Sequence, residues 1–384
     1  MVEGKQRTTS SLVIRPNGGG AASGSSTETC VRCPSLCRWA CPVAEAEARE
    51  TVAPQRLVSF AHWLREDRIS PESVGDLPFH CTHCGACTEV CRFGQDVPRL
   101  LTDARRRVVE SSAAPSGVRE VTGRFAVAGN PIGRSLEEPL RNVAEAAGRT
   151  VERRQATVYH PGCVALAREP DVAVDFLRST VLLGGGSLGL TPASGACCGL
   201  PLYWAGELEG FAAHARHFAA RLGGAETVVV HDPSCAHALR ERYPEVGVSI
   251  AAEVVSVGTW LSRALATGRS RPGSWNVAYH DACQLARRAE ERDEARSVAS
   301  FLAGKEQVHL RGVVGGASDC CGAAGLLPEA APGAARAMAE SVIDAAKAEG
   351  AESLLTFSPR CAHHLRSVDP GFRVCDPSRL LVRM

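Results

Sequence analysis

Apolar positions along this chain follow two rhythms. Leu57, Phe60, Ala61 and Leu64 recur three and four residues apart, which predicts at least one helix in that region. Leu208, Phe211, Ala215, Phe218 and Leu222 keep a 3-4-3-4 spacing, one apolar stripe along a second helix. Four other runs are short, continuous and β-rich: Ala156-Thr157-Val158-Tyr159, Thr227-Val228-Val229-Val230, Val277-Ala278-Tyr279 and Leu354-Leu355-Thr356-Phe357. A few turn residues and a helix-like segment follow each run. Strands alternating with helices predict a parallel α/β sheet, built twice.

The polar stretches divide the chain. Residues 1–29 are rich in Gly, Ser and Thr and read as a disordered tail. Residues 30–98 carry two bunches of cysteines with helical pattern between them. Residues 99–153 have no cysteine and many Arg and Glu, with helical stretches broken at Gly129-Asn130-Pro131, a connector that still packs. Residues 154–270 and 274–384 repeat one another. Cys163, the pair Cys197-Cys198, and Cys235 are echoed by Cys283, the pair Cys320-Cys321, and Cys361, at offsets of 120, 123 and 126 residues. Near-constant offsets over three landmarks mark an internal duplication with small insertions.

Composition narrows the classes. Lys plus Arg at 43 against Asp plus Glu at 42 leaves a net charge of +1, so whole-chain attraction to nucleic acid or anionic membrane is excluded. Aromatics at 5% argue against an array of base-stacking platforms, and the chain is expected to bind no nucleic acid. No stretch approaches the ~18 apolar residues of a membrane span. The first residues lack a hydrophobic export segment, so the expected location is cytoplasmic, with contact to the inner membrane face only through partners. An odd 17 cysteines in such a chain argue against a disulfide scaffold and for metal or redox chemistry.

Cys81-x2-Cys84-x2-Cys87-x3-Cys91 is the bacterial ferredoxin run, and Cys30-x2-Cys33-x3-Cys37-x3-Cys41-Pro42 is the same run with one extra residue. Three close thiolates on a tight loop cap three irons of a cubane, while the fourth points to the neighbouring cluster. The expected ligand sets are Cys30, Cys33, Cys37 and Cys91 for one 4Fe-4S cluster and Cys81, Cys84, Cys87 and Cys41 for a second. Structural zinc is the competing reading, but zinc closes one tetrahedron with four ligands, and two four-fold runs suit cubanes better. In the duplicated part, adjacent thiolates such as Cys197-Cys198 and Cys320-Cys321 diverge, so each can hold a different iron of one cluster. The glycine after each pair allows close backbone approach. Cys163, Cys197, Cys198 and Cys235, then Cys283, Cys320, Cys321 and Cys361, supply four candidate metal ligands per half. Cys375 is left over as a packing thiol.

These motifs, with AGNPIGR in the connector, YHPGC, CCGLPLYWAG, DPSC, YHDACQLAR, CCGAAG and SPRC, make the chain resemble the heterodisulfide-reductase-related iron–sulfur proteins. The resemblance covers residues from about 30 to 384. It implies an α+β multidomain protein, an α-helical ferredoxin-like domain followed by a duplicated α/β cysteine-rich (CCG) domain. It also implies two 4Fe-4S clusters in the ferredoxin-like domain and allows one or two further clusters in the CCG domains. The partners it implies are a flavoprotein dehydrogenase or other redox subunit, and a membrane quinone-reactive subunit. One departure stands out. The family motif closes each half with C-P-x-C, whereas this chain has Asp232-Pro233-Ser234-Cys235 and Ser358-Pro359-Arg360-Cys361. Asp232 and Ser358 are expected as helix caps before they are expected as oxygen ligands. That loss favours an electron relay between a flavoprotein dehydrogenase for a 2-hydroxy acid or similar small substrate and a downstream acceptor, with thiol–disulfide reduction at a CCG cluster as the alternative.

Other residues add less. His160, His231 and His280 each end a strand three or four residues before a cysteine, as donors to cluster sulfur or as ordinary strand-end residues. Arg287 and Arg288 are candidates to offset cluster charge. Gly184-Gly185-Gly186 reads as a loop, since it lacks the spacing of a dinucleotide fingerprint. No catalytic base or nucleophile is identified.

Overall fold

The computed structural model describes residues 26–186, 188–267, 270–287, 289–304, 307–308 and 319–384. Residues 1–25 of the expected tail and Arg288 lie outside the described residues. The last part of that tail is corrected. Ser26 caps a helix over Thr27–Val31 by accepting from the Glu28 amide at 3.2 Å, and Thr27 is tied to His62 Nδ1 at 2.9 Å. Side-chain partners order these residues, where composition alone gave no reason for order.

The N-terminal part is helical. Pro54–Arg65, the helix expected around Leu57, buries Leu57, Val58, Ala61 and Leu64 against Val97–Glu110. Ser116–Ala128 and Glu137–Ala146 follow, separated at Gly129, which ends the first of them with φ +64°. These connector helices contribute Val118, Val121, Phe125 and Leu140 to the core shared with the rest of the chain.

Two small parallel sheets come next. The first joins β1 (Thr157–His160), β2 (Thr227–Val230) and β3 (Glu253–Ser256) in the order β1-β2-β3. The second joins β4 (Val277–Tyr279), β5 (Gln307–Val308), β6 (Ser353–Leu355) and β7 (Arg373–Cys375) in the order β5-β4-β6-β7. The sheets match more closely than the strand count suggests. Gly189 bridges Val158 in parallel where β5 would lie, so the first sheet keeps its fourth strand only as isolated bridges. Helices cover the sheets, including Leu208–Arg221 with Phe211, Ala215 and Phe218 buried. All seventeen cysteines are free of disulfides. Among the described residues, no helix is long and apolar enough to cross a membrane.

The three parts meet at one side chain. Arg105, on Val97–Glu110, is fully buried and donates to four carbonyls: Pro78 at 2.9 Å and Cys81 at 2.7 Å in the N-terminal part, Trp204 at 2.7 Å in the first half, and Gly325 at 2.9 Å in the second. It also stacks over Phe79 at 4.9 Å. A smaller apolar cluster joins Val43, Ala44 and Val52 to Leu327, Ala334, Ala335 and Met338, seating the N-terminal part on the second half.

Candidate metal centres

The eight N-terminal thiols gather in two interleaved fours. Cys30, at the end of Thr27–Val31, has Cys37, Cys91 and Cys33 as its charged neighbours. Cys41, the residue before helix Pro42–Glu47, faces Cys84 and Cys81, and Cys87 faces Cys84, Cys81 and Cys41. Cys41, Cys81, Cys84 and Cys87 line one cavity with Leu57, His80 and Thr82. Thus the last cysteine of each run crosses to the first three of the other. Burial, then the neighbouring thiols, pushes Cys30 and Cys41 up to about 12. Four thiolates packed this way repel one another and are partly withdrawn from water, so a cation among them favours their ionising together. That donor set fits an iron–sulfur cluster. The first four lie near the surface, and Leu36, Trp39, Val90 and Phe93 expose apolar side chains around them.

The thiols of the duplicated part are buried more deeply. Cys163 and Cys283 each open a helix directly after a strand and its turn. Cys197 Sγ lies 3.7 Å from Cys163 Sγ, while Cys198 is hydrogen-bonded to Cys235 and faces His160. In the second half Cys320 is hydrogen-bonded to Cys283, and Cys321 to Cys361. Cys320 also contacts Cys84 and lies 3.5 Å from Thr82 Oγ1, so the second half adjoins the inner N-terminal group directly. Hydrogen bonds from Cys321, then from His280 and Ser358, hold Cys361 well below the ordinary thiol range. The glycines after each pair are required by conformation: Gly199 has φ +79° and Gly322 φ +88°. The Cys197 carbonyl is bonded to His214 at 2.8 Å, and the Cys198 carbonyl accepts from Tyr243 at 2.9 Å.

Asp232 and Ser358, which stand where the family motif has cysteine, are helix caps. Asp232 Oδ1 accepts from the Ser234 amide at 2.8 Å, and Ser358 Oγ accepts from the Cys361 amide at 3.2 Å. The three strand-end histidines part company. His160 and His280 face thiols, but His231 does not: its Nδ1 accepts from Tyr159 at 2.7 Å and its Nε2 donates to Asp376 at 2.8 Å. Asp376 caps the C-terminal helix Pro377–Leu381, so His231 pins that helix to the first half. Cys375 sits in the core on β7, away from the other thiols.

Besides Arg105, which lies against Cys81, two arginines bring positive charge to the thiols. Arg287 lies against Cys84, Cys283 and Cys320, and burial opposes its charge but these thiols outweigh the burial and raise its pKa. Arg360 was not singled out in the sequence. It extends from the second half into the first, 3.9 Å from Asp232 and 5.2 Å over the Trp204 ring. Its burial is likewise outweighed by Asp232, Cys163, Cys235 and Cys198. The signal was its place inside the SPRC motif, between the cap and the cysteine.

Known proteins carry these arrangements. The 4Fe-4S dicluster domain family matches residues 26–95, and the cysteine-rich CCG domain family matches twice, at residues 157–240 and 277–366. A polypeptide of the dihydromethanophenazine:CoB–CoM heterodisulfide reductase from Methanosarcina barkeri is 24% identical over 367 residues, covering 88% of this chain and 88% of its own. The chain is related to the heterodisulfide-reductase-type iron–sulfur oxidoreductases. A polypeptide of the fumarate reductase (CoM/CoB) from Methanothermobacter marburgensis is 25% identical over 342 residues, 88% of this chain and 67% of its own. The EtfAB:quinone oxidoreductase of Syntrophomonas wolfei is 24% identical over 314 residues, 74% of this chain and 40% of its own. In this chain a ferredoxin-like domain implying an iron–sulfur cluster is fused to two CCG domains, and the general function is iron–sulfur electron transfer.

Proposed function

We propose that this chain is the electron-transferring, disulfide-acting component of an oxidoreductase complex. The ferredoxin-like domain, residues 30–98, holds two 4Fe-4S clusters, one on Cys30, Cys33, Cys37 and Cys91 and one on Cys81, Cys84, Cys87 and Cys41. The CCG halves, residues 154–270 and 274–384, hold further iron–sulfur clusters on Cys163, Cys197, Cys198 and Cys235 and on Cys283, Cys320, Cys321 and Cys361. The observation that carries the reading is the contact between Cys84 and Cys320, which makes one line of thiols from the exposed face at Trp39 and Phe93 to the buried junction of the halves.

At that junction a disulfide would take two electrons and two protons and leave as two thiols, or two thiols would return them. Bound clusters supply electrons one at a time. The chain's own residues do the rest. An open cleft of about 210 Å³ reaches Cys84 and Cys283 between Arg242 and Arg287 on one hand and Glu89, Asp96 and Glu241 on the other, giving an external sulfur a polar approach of mixed charge. Arg287 and Arg360 offset the negative charge of the thiolates, and the apolar face at Leu36, Trp39, Val90 and Phe93 meets the redox partner.

The missing C-P-x-C cysteines favour the flavoprotein-linked relay, but the relative matched over 88% of both chains belongs to a heterodisulfide reductase. This reverses the order of the two readings. The relay keeps one observation in its favour, the likeness to an EtfAB:quinone oxidoreductase. The test uses protein purified without oxygen, reduced viologen as donor, and CoB–CoM heterodisulfide or a simple aryl disulfide as acceptor. Disulfide-dependent reoxidation that is lost in Cys320→Ser supports the reading. Dye turnover only with an added electron-transferring flavoprotein or quinone would replace it with the relay.

A further inference from the structure

In the second half four thiols gather where the family motif, closing in C-P-x-C, would add a fifth, and the residue in that fifth place, Ser358, is already committed to the Cys361 amide. A different side chain stands beside these thiols, hydrogen-bonded to Cys361. His280 follows β4 directly, is 1% exposed, and its Nε2 has no hydrogen-bond partner. One of its ring nitrogens and the sulfurs of Cys321 and Cys361 all lie within 4.8 Å of one another, and all three residues are buried. The remaining thiols, Cys283 and Cys320, line the same cavity with Cys321, Cys361 and His280, and Cys320 also reaches Cys84 and Thr82. Of the four, Cys321 and Cys361 are the two with a histidine nitrogen beside them.

We propose that His280 binds iron directly in the second half, taking the coordination place that Ser358 does not fill. The inference rests on the reading that this half carries an iron–sulfur cluster. The other histidines do not compete for the role. His231 is held by Tyr159 and Asp376, and His160, though it faces Cys198, belongs to no comparably compact three-donor set among the described residues. Imidazole is an accepted iron donor, and replacing thiolate with neutral histidine raises the reduction potential of a cluster. His280 would thus make the second half an electron sink relative to the all-thiolate group it touches at Cys84.

The test is pulsed EPR of the full chain, reconstituted without oxygen, with histidine labelled by nitrogen-15. The wild-type protein and His160→Ala should both show a directly bound histidine nitrogen. His280→Ala should lose it, and His280→Cys should lose it while keeping its iron and lowering the midpoint potential. A second-half cluster with no histidine coupling, or a coupling that survives His280→Ala, overturns the inference and leaves the cluster reading standing. Iron confined to the ferredoxin-like domain, or zinc in the second half, overturns both. The labelled wild-type protein decides even where a variant fails to fold.

Discussion

Arg105→Met removes the residue on which the three parts converge. The guanidinium serves four buried carbonyls, two in the ferredoxin-like part and one in each half, and burial lowers its pKa only to about 10, so it stays charged at neutral pH. Each buried carbonyl left without a partner costs about 1–3 kcal/mol. Water can reach some of the gap, and the methionine keeps part of the packing over Phe79. A net loss of about 3–5 kcal/mol is expected, a large share of the ~5–15 kcal/mol that holds a typical domain together. Arg105→Lys should recover only part of it, because one ammonium on a flexible stem cannot replace a planar fork of five donors. The assay is urea unfolding of the metal-loaded chain followed by circular dichroism, with limited proteolysis to show where it opens. Early cleavage should fall between helix Val97–Glu110 and the CCG halves. An Arg105→Met protein with the wild-type urea midpoint and cleavage pattern would refute the view that this one side chain fastens the parts.

Two further predictions concern the thiol sites. Gly322→Ala should cost more than Gly199→Ala: both residues have positive φ, which costs about 1–2 kcal/mol, but a Cβ at 322 meets the Ala335 carbonyl at 2.7 Å, while one at 199 meets the His214 ring at 2.6 Å. A helix backbone cannot yield and a side chain can, so overpacking adds about 1–3 kcal/mol at 322 and less at 199; equal urea midpoints for the two variants would contradict this. The metal-free, reduced chain should be alkali-sensitive, because Cys30 and Cys41 lie near 12 when folded against an ordinary 9.0. A raised folded pKa leaves the stabilisation complete below about pH 9 and removes it as pH climbs towards 12, so the urea midpoint should fall over that window; loading with iron and sulfide at neutral pH should release protons. A flat midpoint from pH 8 to 11 would count against it.

Much of the architecture was legible because its signals are local. A 3-4 apolar stripe, a four-residue β run and a cysteine after a turn each declare themselves within a few residues, and the duplication repeats them. β3, β5 and β7 were not legible. They are two to four residues long, and Arg373–Cys375 follows no turn-and-cysteine landmark, so their hydrogen-bonded neighbours decide them. The buried arginines were missed for a related reason. Arg105 stands in the run Ala104-Arg105-Arg106-Arg107, where solvent is the default for every charge, and only the fold shows that one of the three points inward.

The same limit applies to the site. Spacing could group thiols into fours, but it could not say which group adjoins which. The repeat by itself makes the two halves equivalent, and their surroundings make them different. The second half touches the ferredoxin-like thiols through Cys320, carries His280 beside Cys321 and Cys361, and supplies two half-buried guanidiniums, Arg287 for its own thiols and Arg360 for those of the first half. The first half has Asp232 beside Arg360, a negative charge that partly cancels the positive one, and no thiol contact to the ferredoxin-like groups is found among its described residues. The second half has carboxylates of its own, Asp281 and Asp319, near His280 and Arg287, so the two copies differ in where their charges sit. Duplication thus gave two copies of one cysteine frame, and the contact at Cys84, the histidine and the charges around each copy make them unequal.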